Sequence, residues 1–284
     1  MGLRAYLELV KFEHTLFALP FALLSLLVAT AGRPPLPVLG WVLVAMVGAR
    51  TAAMAFNRIA DREYDARNPR TAGRPLPRGE VSLAGAWRLT VAGVALLVLA
   101  AGMLNRLCLV LSPVALVVVL GYSWTKRFTD WSHLVLGLGL GIAPVGAWLA
   151  ARGAFAPFPL WLAAAVTLWV AGFDTIYGCQ DEAFDRRAGL HSLAVRYGTA
   201  GALRIARLLH AGAVICLAAA MTAASGLGPV ARLGAPVVMA VLLAWEHRIV
   251  RGGDLSRLEL AFFTLNSWLG AAVFAVVLAD LYLV

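Results

Sequence analysis

The sequence carries one acidic pattern twice. Asn57, Asp61 and Asp65 make the first copy, and Tyr177, Asp181 and Asp185 the second, each at the end of a membrane-length apolar stretch. Spacing at i, i+4 and i+8 puts each set on one face of a helix. Ionisable groups beside hydrocarbon are costly and mark functional sites by default. Carboxylate and amide oxygens are hard donors, and Mg²⁺ takes few protein carboxylates while keeping waters and substrate phosphates. Two such fans opening on one cavity suit a diphosphate held through metal ions, with Asn57, Asp61, Asp65, Asp181 and Asp185 as the ligands. One pair alone would read as solvated helix-end charges beside Arg62 or Arg67. The second copy argues against that.

Basic and hydroxyl groups lie close to the fans in sequence. The loop after the first reads Asn68-Pro-Arg-Thr-Ala-Gly-Arg-Pro-Leu-Pro-Arg78, a stiff, turn-rich segment. Its Arg70 and Arg74 offer planar forks for phosphate, although a membrane topology signal alone would also place arginines there. Tyr122 and Lys126, four residues apart, share a helix face, either as interfacial anchors or as a phosphate-binding pair. Arg50 and Asp174 each lie seven residues before a fan, at Asn57 and Asp181, and continue it inward. Either they pair with each other inside the bundle, or Asp174 completes the metal site while Arg50 orients a substrate carboxylate. His14, beside Lys11 and Glu13, reads first as an interfacial histidine.

The elements that must hold these residues are membrane helices. The chain has 284 residues, 61% of them hydrophobic, and a mean hydropathy of +0.82, well above soluble domains. Apolar stretches over 15–31, 37–57, 83–104, 107–124, 131–151, 158–180, 201–224, 230–247 and 259–283 predict about nine transmembrane helices in a single all-α domain over 1–284. Glycine is frequent in the fifth (Gly137, Gly139, Gly141, Gly146), where small residues let backbones approach. The connections 58–82, 125–130, 181–200 and 248–258 are charged, whereas Arg33, Arg106, Arg152 and Arg232 are the only basic residues of the alternate set. The positive-inside rule then puts the N-terminus and both fans in the cytoplasm, and the expected location is the inner (cytoplasmic) membrane. The net charge of +9 is thus mostly topology, and nucleic acid is not an expected partner. Four spans separate the two fans, which suggests a four-helix internal repeat. Cys108, Cys179 and Cys216 lie in apolar segments without metal-ligand spacing.

At these residues the sequence resembles the UbiA superfamily of intramembrane aromatic prenyltransferases. Its first motif, Asn-Asp-x-x-Asp-x-x-x-Asp, corresponds to NRIADREYD at 57–65, its second to YGCQDEAFD at 177–185, and its Tyr-x-x-x-Lys pair to YSWTK at 122–126. Arg58 departs from the motif and cannot bind metal. Segments KFEHTLFALPFAL, GARTAAMAFNR and GFDTIYGCQDEAFDRRAGLHS look like the 4-hydroxybenzoate polyprenyltransferase branch, and more narrowly like its relatives in the futalosine route to menaquinone. The resemblance implies Mg²⁺-dependent transfer from a polyprenyl diphosphate to an aromatic acid, 4-hydroxybenzoate or 1,4-dihydroxy-6-naphthoate. Asp61, Asp65, Asp174, Asp181 and Asp185 would be the catalytic residues, with Lys126, Tyr122, Arg70 and Arg74 on the diphosphate and Arg50 on the acceptor. The rivals are a cation-coupled secondary transporter, whose acids would sit nearer the bilayer midplane, and a prenyltransferase acting on haem or lipid.

Overall fold

The computed structural model describes residues 3–10, 15–258 and 260–283. The described residues contain helices and connections and no β-strand. In chain order the helices are α1 (Leu3–Val10), α2 (Thr15–Ala29), α3 (Leu36–Ala60), α4 (Arg62–Arg67), α5 (Leu83–Leu104), α6 (Arg106–Thr125), α7 (Ser132–Arg152), α8 (Pro157–Gly178), α9 (Glu182–Arg187), α10 (Leu193–Ala223), α11 (Ala235–Ile249) and α12 (Asn266–Leu283). Among the described residues, eight helical stretches are long and apolar enough to cross a membrane, and Phe17–Ala29 is a shorter apolar helix. This agrees with about nine spans. Side chains such as Leu99, Val110, Val117, Leu208, Ile215 and Trp268 point outward and exposed, as a lipid-facing band requires.

The span containing α8 is the axis of the bundle. Of its most apolar window, 56% is buried inside the protein, whereas no other span exceeds 39%. Trp169, Phe158, Leu162 and Val166 on α8 pack with Phe21 and Leu24 of α2, Leu217 and Met221 of α10, and Leu269 and Val273 of α12. Lipid is as apolar as leucine, so such contacts depend on close fit rather than on expulsion of water. Glycine supplies that fit in the seventh helix. A Cβ on Gly137 would collide with the Thr167 carbonyl, and one on Gly141 with the Ala163 carbonyl at 2.8 Å. The closely packed α8 therefore carries Asp174 and Tyr177 and leads into the segment that bears Asp181 and Asp185.

The helix ends differ from the single-face expectation. α3 stops at Ala60, and Asp61 takes φ −94°, ψ 4° before the six-residue α4 begins. The second copy repeats this: α8 passes through a 3₁₀ turn, Cys179–Asp181, and Asp181 takes φ −95°, ψ 0° before the six-residue α9. Each fan is thus bent at its first aspartate, in the sparsely populated bridge region where active-site residues often sit. The bonds Asp61 N→Asn57 O (2.9 Å) and Asp65 N→Asp61 O (2.8 Å) carry the first bend without an orphaned amide. Matching bends in both copies support the repeat.

Candidate active site

One cavity of about 260 Å³ opens where the charged connections gather. Asn57, Asp61, Asp65, Asn68, Arg70, Arg74, Lys126, Asp181 and Asp185 line it beside Arg50, Tyr122, His133 and Asp174, together with Phe17, Leu136, Leu140, Val170, Phe173 and Phe262. Every residue named from the sequence for the metal, diphosphate and acceptor positions therefore lines a single space. His14, Lys11 and Glu13 lie outside the described residues.

The carboxylates face basic partners. Arg70 grips Asp181 with two bonds, Nε–Oδ1 at 2.9 Å and Nη2–Oδ2 at 2.5 Å, while Asn68 donates to the same Oδ1 at 3.1 Å. Arg74 Nη1 holds both oxygens of Asp65, at 2.6 and 2.8 Å. Lys126 Nζ reaches Asp185 Oδ2 at 3.1 Å. The three acid side chains are at most 8% exposed, and the cations are 24–36% exposed. The loop after the first fan thus folds over the second, joining the two halves. Burial opposes the charge of Arg70, but its hydrogen bond to Asp181 together with the Asp181, Tyr177 and Asp65 charges outweighs that and raises its pKa above the usual value. Burial likewise opposes the Lys126 charge, and Asp185 with Asp181 more than compensates.

Asp61 is the exception. Its Oδ2 accepts from Asn57 Nδ2 at 2.8 Å. Burial, then the Asp65 charge, pushes its carboxyl up to about 6, against Lys126 and Arg58. Arg58 points inward, is buried, and donates to Asn57 Oδ1 at 3.3 Å. It brings a fixed cation to the first fan, where the family motif has an acid. Tyr177 lines the wall rather than standing as a ligand: its hydroxyl accepts from Arg70 Nη1 at 3.1 Å and its ring lies 4.1 Å from that of Phe262.

Among the described residues, no three His, Cys, Asp or Glu side chains converge as a ready-made metal cage. The donor set nevertheless suits Mg²⁺, which prefers oxygen and needs only one or two carboxylates plus phosphate oxygens. The sequence pattern does not single out Asn68, which donates to Asp181, or His133, whose Nδ1 lies 2.6 Å from Asp174 Oδ2. Asn68 precedes a proline next to Arg70, and that turn chemistry was the available signal. Nothing in local spacing links His133 to Asp174, 41 residues away. The mouth is further latched by Arg127, bonded to the Ala60 carbonyl at 2.6 Å, and by His191 N bonded to the Lys126 carbonyl at 2.7 Å.

Comparison with known proteins gives a consistent result. Residues 18–269 match the UbiA prenyltransferase family. The 4-hydroxybenzoate octaprenyltransferase of Nitrosospira multiformis is 34% identical over 267 residues, covering 92% of this chain and 88% of that protein. The enzyme of the same name from Shewanella woodyi is 31% identical, covering 99% and 98%. The apo structure of a UbiA homologue from Aeropyrum pernix superposes with a TM-score of 0.85 at 38% identity, covering 94% of this chain and 98% of that one. A UbiA homologue from Archaeoglobus fulgidus bound to GPP and Mg²⁺ shares the fold, with a TM-score of 0.74 at 22% identity over 96% and 99% of the two chains.

Proposed function

The chain belongs to the UbiA prenyltransferase family, and on that premise we propose that it transfers a polyprenyl group from its diphosphate to an aromatic acid, with Mg²⁺ as cofactor. The observation that carries this reading is the pairing of three buried carboxylates with three cations around one cavity mouth. Asn57, Asp61, Asp65, Asp181 and Asp185 would hold the cation. When bound, Mg²⁺ would neutralise the diphosphate as a Lewis acid. Arg70, Arg74 and Lys126 turn from their carboxylates to the phosphate oxygens and stabilise the charge that grows as the allylic C–O bond breaks. Tyr122 adds a hydroxyl donor beside Lys126. The apolar wall of Leu136, Leu140, Val170 and Phe173 excludes water from the allylic cation. Arg50 lines the same cavity and suits the acceptor carboxylate. The isoprenoid tail leaves laterally into lipid, which is why the enzyme is embedded.

The acceptor class follows the relatives named 4-hydroxybenzoate octaprenyltransferases. Resemblance to the futalosine branch makes 1,4-dihydroxy-6-naphthoate the alternative acceptor. The basic connections support a mouth facing the cytoplasm from the inner membrane. The test is Mg²⁺-dependent transfer from a radiolabelled polyprenyl diphosphate with both acceptors offered in parallel. Product that disappears with EDTA supports the reading and chooses the acceptor. Absence of product with either, together with absence of donor binding, would sink it.

A further inference from the structure

Resting on that prenyl-transfer reading, we infer that Asp174 and His133 form a proton-accepting pair for the aromatic acceptor, separate from the metal–diphosphate layer. Three observations carry this. First, depth: Asp174 lies within α8, seven residues before Asp181 in the 3₁₀ turn that follows it, so at about 1.5–2 Å rise per residue they are separated by about 10–12 Å along the chain's course. One Mg²⁺ ion, with ligands near 2.1 Å, cannot bridge that gap. Second, partners: of the mouth carboxylates, Asp65, Asp181 and Asp185 are bonded to arginine or lysine and Asp61 to Asn57, whereas the only hydrogen bond of Asp174 among the described residues is to His133 Nδ1, at 2.6 Å. Third, exposure is asymmetric within the pair. The His133 side chain is 2% exposed and that of Asp174 is 23% exposed, and both line the cavity.

The imidazole is therefore the fixed member and the carboxylate the working one. His133 is seated against α8 at Gly178, where a Cβ would lie 3.0 Å from its Cε1. It occupies Oδ2 of Asp174 and leaves Oδ1 for a ligand. In the step assigned to the pair, the allylic C1–O bond breaks and its electrons go to the diphosphate. The ring π electrons of the acceptor form the new bond to C1. The proton on that ring carbon then passes to Asp174 Oδ1, and its C–H electrons restore aromaticity. Asp174 touches the acceptor; His133 is a positioning residue that orients the carboxylate and shares the incoming proton.

Asp174→Asn and His133→Gln, made in the full chain in lipid nanodiscs, test the assignment, with geranyl diphosphate as donor and whichever phenolic acid the wild type alkylates. Each variant is measured for Mg²⁺-dependent geranyl diphosphate binding, for slow geraniol release without acceptor, and for ring alkylation. Donor binding and geraniol release should stay within about twofold of wild type, while D174N lowers alkylation at least about 100-fold, in the usual range for general base loss. H133Q should lower kcat less and leave the acceptor KM nearly unchanged. Deuterium at the alkylated ring carbon should slow the residual turnover of both variants more than that of wild type. A D174N protein that loses donor binding tenfold places Asp174 in the donor site and overturns the pair. Alkylation unchanged in D174N, or no added isotope effect in either variant, overturns it as well. If the wild type ionises geranyl diphosphate but alkylates neither phenolic acid, the acceptor reading fails and the pair fails with it.

Discussion

Arg70→Gln should move two affinities in opposite directions. Arg70 saturates Asp181, using Nε and Nη2 on separate oxygens, so a metal ion can reach that carboxylate only after the pair opens. The Arg70 side chain is 32% exposed, and solvent screening holds the worth of such a pair to about 1 kcal/mol. Without it, apparent Mg²⁺ affinity in the absence of donor should rise about fivefold, since each 1.4 kcal/mol is tenfold. Donor binding changes the other way. A charge-assisted hydrogen bond to phosphate contributes about 1.5–3 kcal/mol, so geranyl diphosphate affinity should fall roughly ten- to a hundredfold. Calorimetry of Mg²⁺ binding and a filter assay of donor binding, both in nanodiscs, read the two quantities separately. A variant that binds Mg²⁺ more weakly, or donor as well as wild type does, would refute the exchange of partners.

Four further outcomes are expected. Asp61→Ala should abolish turnover while leaving the unfolding temperature in detergent within a few degrees, because Asp61 contributes one bond, from Asn57; unchanged turnover would remove it from the site. EDTA should stop transfer without lowering that temperature, since Arg70, Arg74 and Lys126 already pair with Asp181, Asp65 and Asp185. With its carboxyl held near 6, Asp61 is protonated below that pH, so at limiting Mg²⁺ activity should fall about tenfold per unit as protons displace the ion. Excess Mg²⁺ should shift the fall to lower pH, and a profile insensitive to Mg²⁺ would count against Asp61 as a ligand. Gly93→Leu should destabilise by about 1–3 kcal/mol through overpacking, because a Cβ there already lies 2.5 Å from Ala52 N on α3; a thermal scan that shows no loss would contradict this close packing.

Hydropathy made the helices legible because each span must satisfy its backbone internally, leaving the apolar run as the signal. The acids, Lys126 and Tyr122 were legible because four-residue spacing survives any packing arrangement. The bends at Asp61 and Asp181 were not, since a continuous helix and an interrupted one give the same i, i+4 pattern. Nor was the partner of any cation. By spacing alone Arg70 could equally have met Asp65, and only the path of the loop to the turn between α8 and α9 sends it to Asp181. His133 was hidden for the same reason, because its significance lies in the packing of α7 on α8. Arg58 was legible as a departure from the motif, but its inward burial beside Asn57 required coordinates.

The charge balance at the mouth also separates the enzyme from a cation carrier. A cavity bordered by hydrocarbon must neutralise its own ions, and the three acid–base pairs do so for Asp65, Asp181 and Asp185. A cation entering alone would claim the carboxylates and leave Arg70, Arg74 and Lys126 facing one another, with the buried Arg58 nearby. A free diphosphate would claim the bases and strand the carboxylates. A metal–diphosphate complex satisfies both sets at once, so each pair can open without leaving an uncompensated buried charge. The acids also cluster at helix ends beside the arginine-bearing loop, whereas carrier sites lie near the midplane at broken helices. On the proposed reading the same residues neutralise one another before the donor arrives and then receive it, which selects a ligand that brings both signs of charge together.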